Sequence, residues 1–201
     1  MSEKAIEALR LGLPVVLPFD TVYGLAAEPY SAESTRRLYA LKGRPATQPT
    51  ALVAADLELV LELVPELRGH AAALARTLLP GALTLVVPNP ARRFLWLTGG
   101  NPETIGIRVP ELEGPGRDVL APVGVVVATS ANRPGEPDPR RLDEVPEEIR
   151  AAAGAVVDGG ELPGTPSTVV DISGAEPRIL REGAVPAADV MRRLDAAVRS
   201  T

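Results

Sequence analysis

The sequence predicts an α/β fold: an open, twisted, mixed sheet flanked by helices, with a concave ligand cleft at its strand ends. Three observations predict it. Short apolar runs recur along the chain, each bounded by Pro, Gly or charge. The implied strands outnumber the implied helices, and several connections are too short for the crossover that a parallel pair needs. The 18 Gly and 21 Pro are spread along 201 residues and not pooled in a linker. That pattern fits tight loops inside one domain, residues 1–201.

The elements follow in order. Ser2 is placed to cap a helix reaching Leu11, stopped by Gly12. Val15 to Leu17 is a short apolar strand between Pro14 and Pro18. Ser31 caps a helix running to Leu41 or Lys42, with Gly43 as its stop. Ala51 to Ala54 reads as a buried strand; Asp56 opens a helix that Pro65 breaks, and Glu66 to Leu79 continues as another. After the Pro80-Gly81 turn come the apolar runs Leu83 to Val87, Ile105 to Val109, Val123 to Ala128, Ala155 to Val157 and Thr168 to Ile172. Arg178 to Arg181 is a short exposed strand, and Pro186 to Val198 a closing amphipathic helix. The intervening Arg133 to Arg141 (RPGEPDPRR) reads as a surface loop, and its composition makes it a candidate lid over a cleft.

Composition narrows the chemistry. A hydrophobic share of 45% supports a packed core and argues against disorder. No apolar run reaches the roughly 18 residues of a membrane span. The N-terminal MSEKAIEALRLG reads as a charged helix and not as a signal peptide, so a cytoplasmic protein is expected. With no Cys and a single His, His70, neither thiolate catalysis nor Cys- or His-rich metal sites are available. A net charge of −5 argues against a broad nucleic-acid-coating face. No GxxxxGK[ST], GxGxxG or GxSxG occurs. Lys4 and Lys42 are the only lysines among 21 basic residues, which draws attention to Lys42.

Five polar clusters remain. The first, Pro18 to Leu25, follows a strand and carries Asp20, Thr21 and Tyr23. The second, Lys42-Gly43-Arg44-Pro45, puts two cations around a Gly that lets the chain curl. In the third, alternation places Thr104, Gly106 and Arg108 on one face of a strand, where a guanidinium suits a carboxylate. The fourth, Thr129-Ser130-Ala131-Asn132, ends the most apolar strand; the fifth runs from Pro166 to Asp171, with Arg181 beyond it. Hydroxyls and arginines at strand ends read as a cleft for an anionic ligand.

These clusters, in this order, resemble the YrdC/Sua5 family of threonylcarbamoyl-AMP synthases. The segments that carry the resemblance are PFDTVYGLAA, LKGRP, LPGALTLVVP, TIGIRVP, VVATSAN, VDGG, PSTVVD and ILREGAV, from about residue 14 to 185. The resemblance implies a YrdC-like fold of the short, single-domain bacterial type. It implies an enzyme that joins L-threonine, bicarbonate or CO2, and ATP with Mg2+, and releases pyrophosphate in the first step of t6A modification of tRNA. It assigns Thr21, Arg108 and Ser167 to threonine, with Tyr23 in the same motif. It assigns Lys42, Arg44, Thr104, Ser130 and Arg181 to ATP, together with Asn132 and Gln48; Lys42 and Arg44 are the expected catalytic cations. No protein metal ligand is expected. The implied partners are a downstream threonylcarbamoyl transferase complex and a weak contact with tRNA; a non-enzymatic RNA-binding module of the same fold is the alternative. Four positions depart from the family pattern: Phe19 where Thr is usual, Gln48 where Lys is frequent, Val53 where some members have His, and Pro134 where Ser is common.

Overall fold

The computed structural model describes residues 1–199. Its strands form one nine-stranded mixed sheet among the described residues. They are β1 (Val15–Pro18), β2 (Tyr23–Ala27), β3 (Ala51–Ala54), β4 (Leu83–Pro88), β5 (Thr104–Arg108), β6 (Val125–Ser130), β7 (Ala155–Val156), β8 (Thr168–Asp171) and β9 (Arg178–Arg181). The spatial order is β7-β1-β2-β6-β3-β5-β4-β8-β9. Parallel pairs (β1–β7, β3–β5, β4–β8) alternate with antiparallel ones, as expected for a sheet too tightly connected for uniform crossovers.

The helices are α1 (Ser2–Arg10), α2 (Ala32–Lys42), α3 (Leu57–Leu63), α4 (Gly69–Leu78), α5 (Gly114–Val123), α6 (Glu147–Ala152) and α7 (Ala187–Arg199). Ser31 caps α2, its Oγ accepting from the backbone N–H groups of Glu33 and Ser34, and Gly43 ends it in the left-handed region at φ 71°. Asp56 caps α3 by accepting from Leu59 N–H at 2.9 Å. Ser2 does not cap α1: it lies within the helix, Met1 occupies the cap position and no side chain bonds there. The helix expected from Glu66 begins only at Gly69. No helix among the described residues is long and apolar enough to cross a membrane.

Three elements were not expected. β2 occupies part of the first polar cluster, and α5 and α6 fill stretches to which the sequence assigns no element. All five residues of β2 are buried, so it carries no alternation to reveal it. α5 contains Gly116, Pro115 and Pro122, which mask its helical pattern.

The two sheet faces are covered differently. One packs Tyr23, Leu25, Leu52, Leu85, Ile107 and Val127 into the large core with residues of α2, α3, α4, α6 and α7. The other packs Val15, Leu17, Val53 and Val126 against α1 and α5, in a smaller core. These two helices contact β1, β6, β7 and each other. The remainder of that face, from β2 across to β9, is left open as a cleft.

Candidate active site

The cleft has a volume of about 660 Å³. Its floor is made of small residues from four adjacent strands: Gly24, Ala128, Ala51 and Gly106. Both glycines sit close to neighbours: a Cβ on Gly24 would lie 2.4 Å from the Phe19 ring, which would have to move, and one on Gly106 would make a tight 3.3 Å contact with Ala51.

At one end, three elements converge. The left-handed Gly43 turns the chain so that Lys42 and Arg44 both face the end of β6. Lys42 Nζ donates to Asn132 Oδ1 at 2.7 Å, to the Ser130 carbonyl, and to Ser130 Oγ at 3.3 Å. Arg44 donates to Thr129 Oγ1 at 2.8 Å and to the Pro49 carbonyl. Asn132 is itself held by donating to the Glu136 carbonyl at 2.6 Å. Burial, and then the adjacent Arg44 charge, push the Lys42 ammonium down to about 8. Burial also lowers Arg44. Arg181 reaches in from β9 and donates to the Ser167 carbonyl at 2.7 Å. Among the described residues, Lys42, Arg44 and Arg181 form no ion pair. Asp138, on the 133–141 loop, is the one carboxylate lining the cleft.

The other end is built around Arg108. Strand alternation puts Thr104, Gly106 and Arg108 on the cleft face, as their spacing predicted. Arg108 sits in the interior of the sheet and not on an edge. Its Nη2 donates to Asp20 Oδ1 and, at 2.8 Å, to Thr21 Oγ1. The second oxygen of Asp20 accepts from Glu111 N–H at 3.2 Å. Burial raises Asp20 and lowers Arg108, and the attraction between them opposes both shifts. Phe19, where the family pattern has Thr, lies with its ring centroid 5.9 Å from the Arg108 guanidinium. Arg108 Nε is buried and has no hydrogen-bond partner among the described residues.

The expected residues divide accordingly. Lys42, Arg44, Gln48, Thr104, Arg108, Ser130, Asn132, Ser167 and Arg181 all line the cleft. Val53 and Pro134 line it too, and Gln48 lies on its exposed rim. Two of the threonine-site residues do not line it. Thr21 lies behind Arg108 and bonds to it, so it acts through the guanidinium. Tyr23 is on the opposite face. In β2 alternate side chains point apart, and Gly24 takes the cleft side. The Tyr23 hydroxyl donates within the 158–160 turn and accepts from Gly159 N–H at 2.9 Å. Burial pushes it up to about 12, and it is a core residue. His70 is exposed in the first turn of α4, away from the cleft.

Sequence reasoning did not single out Asp20 as the partner of Arg108, nor Thr129 as the anchor of Arg44, nor Thr84. Thr84 lies in LTLVV, where alternation places it on the same face as Val86; both line the cleft. That alternation was a usable signal. The Asp20 pairing was not, because it joins residues 88 apart in sequence.

Comparison with known proteins gives the family and agrees with the fold. The family model Sua5_yciO_yrdC, described as "Telomere recombination", matches residues 7–183. A threonylcarbamoyl-AMP synthase of Pyrococcus abyssi is 33% identical over 183 residues, covering 90% of this chain and 54% of the relative. One of Pseudomonas syringae is 32% identical, covering 90% of this chain and 96% of the relative. The chain therefore spans about half the length of the archaeal relative and nearly all of the bacterial one. A crystal structure of P. abyssi Sua5 complexed with L-threonine superposes with a TM-score of 0.84 at 31% identity, over 96% of this chain and 57% of that one. The E. coli YciO structure shares the fold, with a TM-score of 0.78 at 24% identity over 94% of this chain and 92% of that one. This chain belongs to the Sua5/YciO/YrdC family.

Proposed function

We propose that this chain is a threonylcarbamoyl-AMP synthase. It forms L-threonylcarbamoyladenylate from L-threonine, CO2 or bicarbonate, and ATP, with release of pyrophosphate. The product feeds t6A modification of tRNA through a transferase complex, in the cytoplasm. The observation that carries the reading is the charge of the cleft. In a chain of net charge −5, three cations without carboxylate partners line one pocket with Arg108. Elsewhere on the surface several arginines, among them Arg36, Arg76, Arg92, Arg93, Arg141 and Arg150, are paired with carboxylates. A pocket of this kind suits a compact polyanion and not an extended nucleic-acid backbone.

The roles follow from position. Arg108 holds the amino acid carboxylate through its fork. Lys42, Arg44 and Arg181 line the path of the triphosphate. Thr104, Ser130 and Asn132 offer short polar groups beside it, and Gln48 reaches the phosphates from the rim. The neutral threonine amine attacks CO2 to give a carbamate, losing one proton. A carbamate oxygen then attacks the α-phosphorus, and pyrophosphate leaves. No bond to the protein forms, so the chain's contribution is alignment and charge. ATP and the carbamoylated amino acid together bring roughly six negative charges, which four cations and Mg2+ offset. Among the described residues no cluster of three or more His, Asp or Glu could hold a metal by itself. Mg2+ enters with ATP as part of the substrate, and Asp138 is the carboxylate lining the cleft among the described residues. The test is pyrophosphate release on incubation with ATP, bicarbonate and each amino acid in turn. Threonine-selective release is expected; release independent of the amino acid refutes the reading.

A further inference from the structure

The cleft face of the sheet carries one transverse row of side chains beside the Arg108 anchor. Val53 pairs with Arg108 across β3 and β5. Leu85 pairs with Ile107 in antiparallel register, so the next step sets Thr84 opposite Arg108. Thr84 in turn pairs with Val169. All four line the cleft. Adjacent strands are about 4.8 Å apart, a span that the carboxylate and β-hydroxyl of one amino acid can bridge.

Thr84 Oγ1 lies 2.8 Å from Ser167 Oγ, and either atom can be the donor. Ser167 is almost fully buried, and its Oγ also receives Arg181 Nη2 at 3.4 Å. Two hydroxyls bonded to each other use one proton between them. The pair keeps a second O–H and free lone pairs for a ligand. Val53 and Val169 supply methyl groups on either side. A side chain bearing one hydroxyl and one methyl matches this arrangement. Valine, its isostere, would leave the hydroxyl pair unsatisfied.

We propose that Thr84 is a specificity-determining residue, which with Ser167 selects a β-hydroxyl on the amino acid substrate; this rests on the function proposed above. Magnitude argues for a polar selector. An apolar pocket separates a hydroxyl from its methyl isostere by only about 10²-fold, whereas a site built to bond the hydroxyl does so by about 10⁴-fold or more.

The experiment measures kcat/KM for L-threonine and for L-valine, by pyrophosphate release, in wild type, Thr84→Val and Thr84→Ser. ATP binding and thermal melting verify that each variant folds. Wild type should prefer threonine by about 10⁴-fold. Thr84→Val should reduce that ratio at least about tenfold, through loss of threonine activity with ATP binding retained. Thr84→Ser should stay within about threefold of wild type, because the hydroxyl remains. If Thr84→Val keeps the wild-type ratio, the inference is wrong and the function reading stands. If wild type itself does not favour threonine, the function reading falls and takes this inference with it. A Thr84→Ser variant as impaired as Thr84→Val would mean that packing of the methyl, and not the hydroxyl, matters.

Discussion

The two ends of the cleft treat positive charge in opposite ways. At the Arg108 end the cation is paired before any ligand arrives, with Asp20 and Thr21 on one side and Phe19 beside it. At the Lys42 end the cations hydrogen-bond to carbonyls, hydroxyls and an amide, and Asp138 attracts Lys42 without forming an ion pair with it. The difference matches the cargo proposed for each. A single carboxylate needs an oriented fork, and an internal counter-ion keeps that buried charge tolerable. A triphosphate brings enough charge to be the counter-ion itself. Cations facing it are best left unneutralised, at the cost of a depressed ammonium in the free protein.

Four experiments would break or sharpen this contrast. The largest effect is expected at the paired end. Arg108→Ala leaves Asp20 buried alone, so chemical denaturation should register a loss of about 3 kcal/mol. The same variant should raise the threonine KM far more than the ATP KM; equal changes would contradict the assignment. At the unpaired end, Lys42→Ala and Arg44→Ala should each slow pyrophosphate release at least about tenfold, from loss of a charge-assisted contact worth about 1.5–3 kcal/mol. Wild-type rates would remove both from the mechanism. A smaller effect is expected from pH. Lys42 titrates near 8 in the fold against 10.5 unfolded. Nucleotide affinity should therefore weaken as pH rises through about 8, while in Lys42→Arg it should stay flat. The unfolded state holds the proton longer, so this group's contribution to apo stability improves from pH 8 towards 10.5. Flat profiles through pH 8 would place Lys42 in a solvated setting. The smallest effect concerns the 133–141 loop. Pro134, Gly135 and Asp138 line the cleft, while Pro139 accepts from Tyr23 N–H at 2.8 Å and Asn132 grips Glu136. If the loop is a lid, its proteolysis should slow with ATP plus threonine present; an unchanged rate would refute that role.

Much of this was legible in the linear chain, for identifiable reasons. Arg108 and Thr104 were readable because β5 alternates burial, which is the signature of a strand with one open face. The Ser31 cap and the Gly43 stop are local devices and were read correctly. Tyr23, expected at the threonine site from its motif, faces away from the cleft: motif membership says nothing about face, and a fully buried strand offers no period from which to recover it. The cleft's position depends on where α1 and α5 end on the sheet, and α5 was hidden by its prolines. The pairing of Asp20 with Arg108 and the anchoring of Arg44 by Thr129 are long-range facts that only the completed fold creates.

The span of those contacts also bears on synthesis. Lys42 finds its acceptors 88 and 90 positions later, Arg108 finds its carboxylate 88 positions earlier, and Ser167 waits for Arg181. A nascent chain emerging from the ribosome therefore lacks the Lys42 cluster until β6 has joined the sheet, and the Ser167–Arg181 contact until β9 has followed it. A nucleotide held in the proposed site would stabilise only the finished molecule, where it would slow the return to the unfolded state.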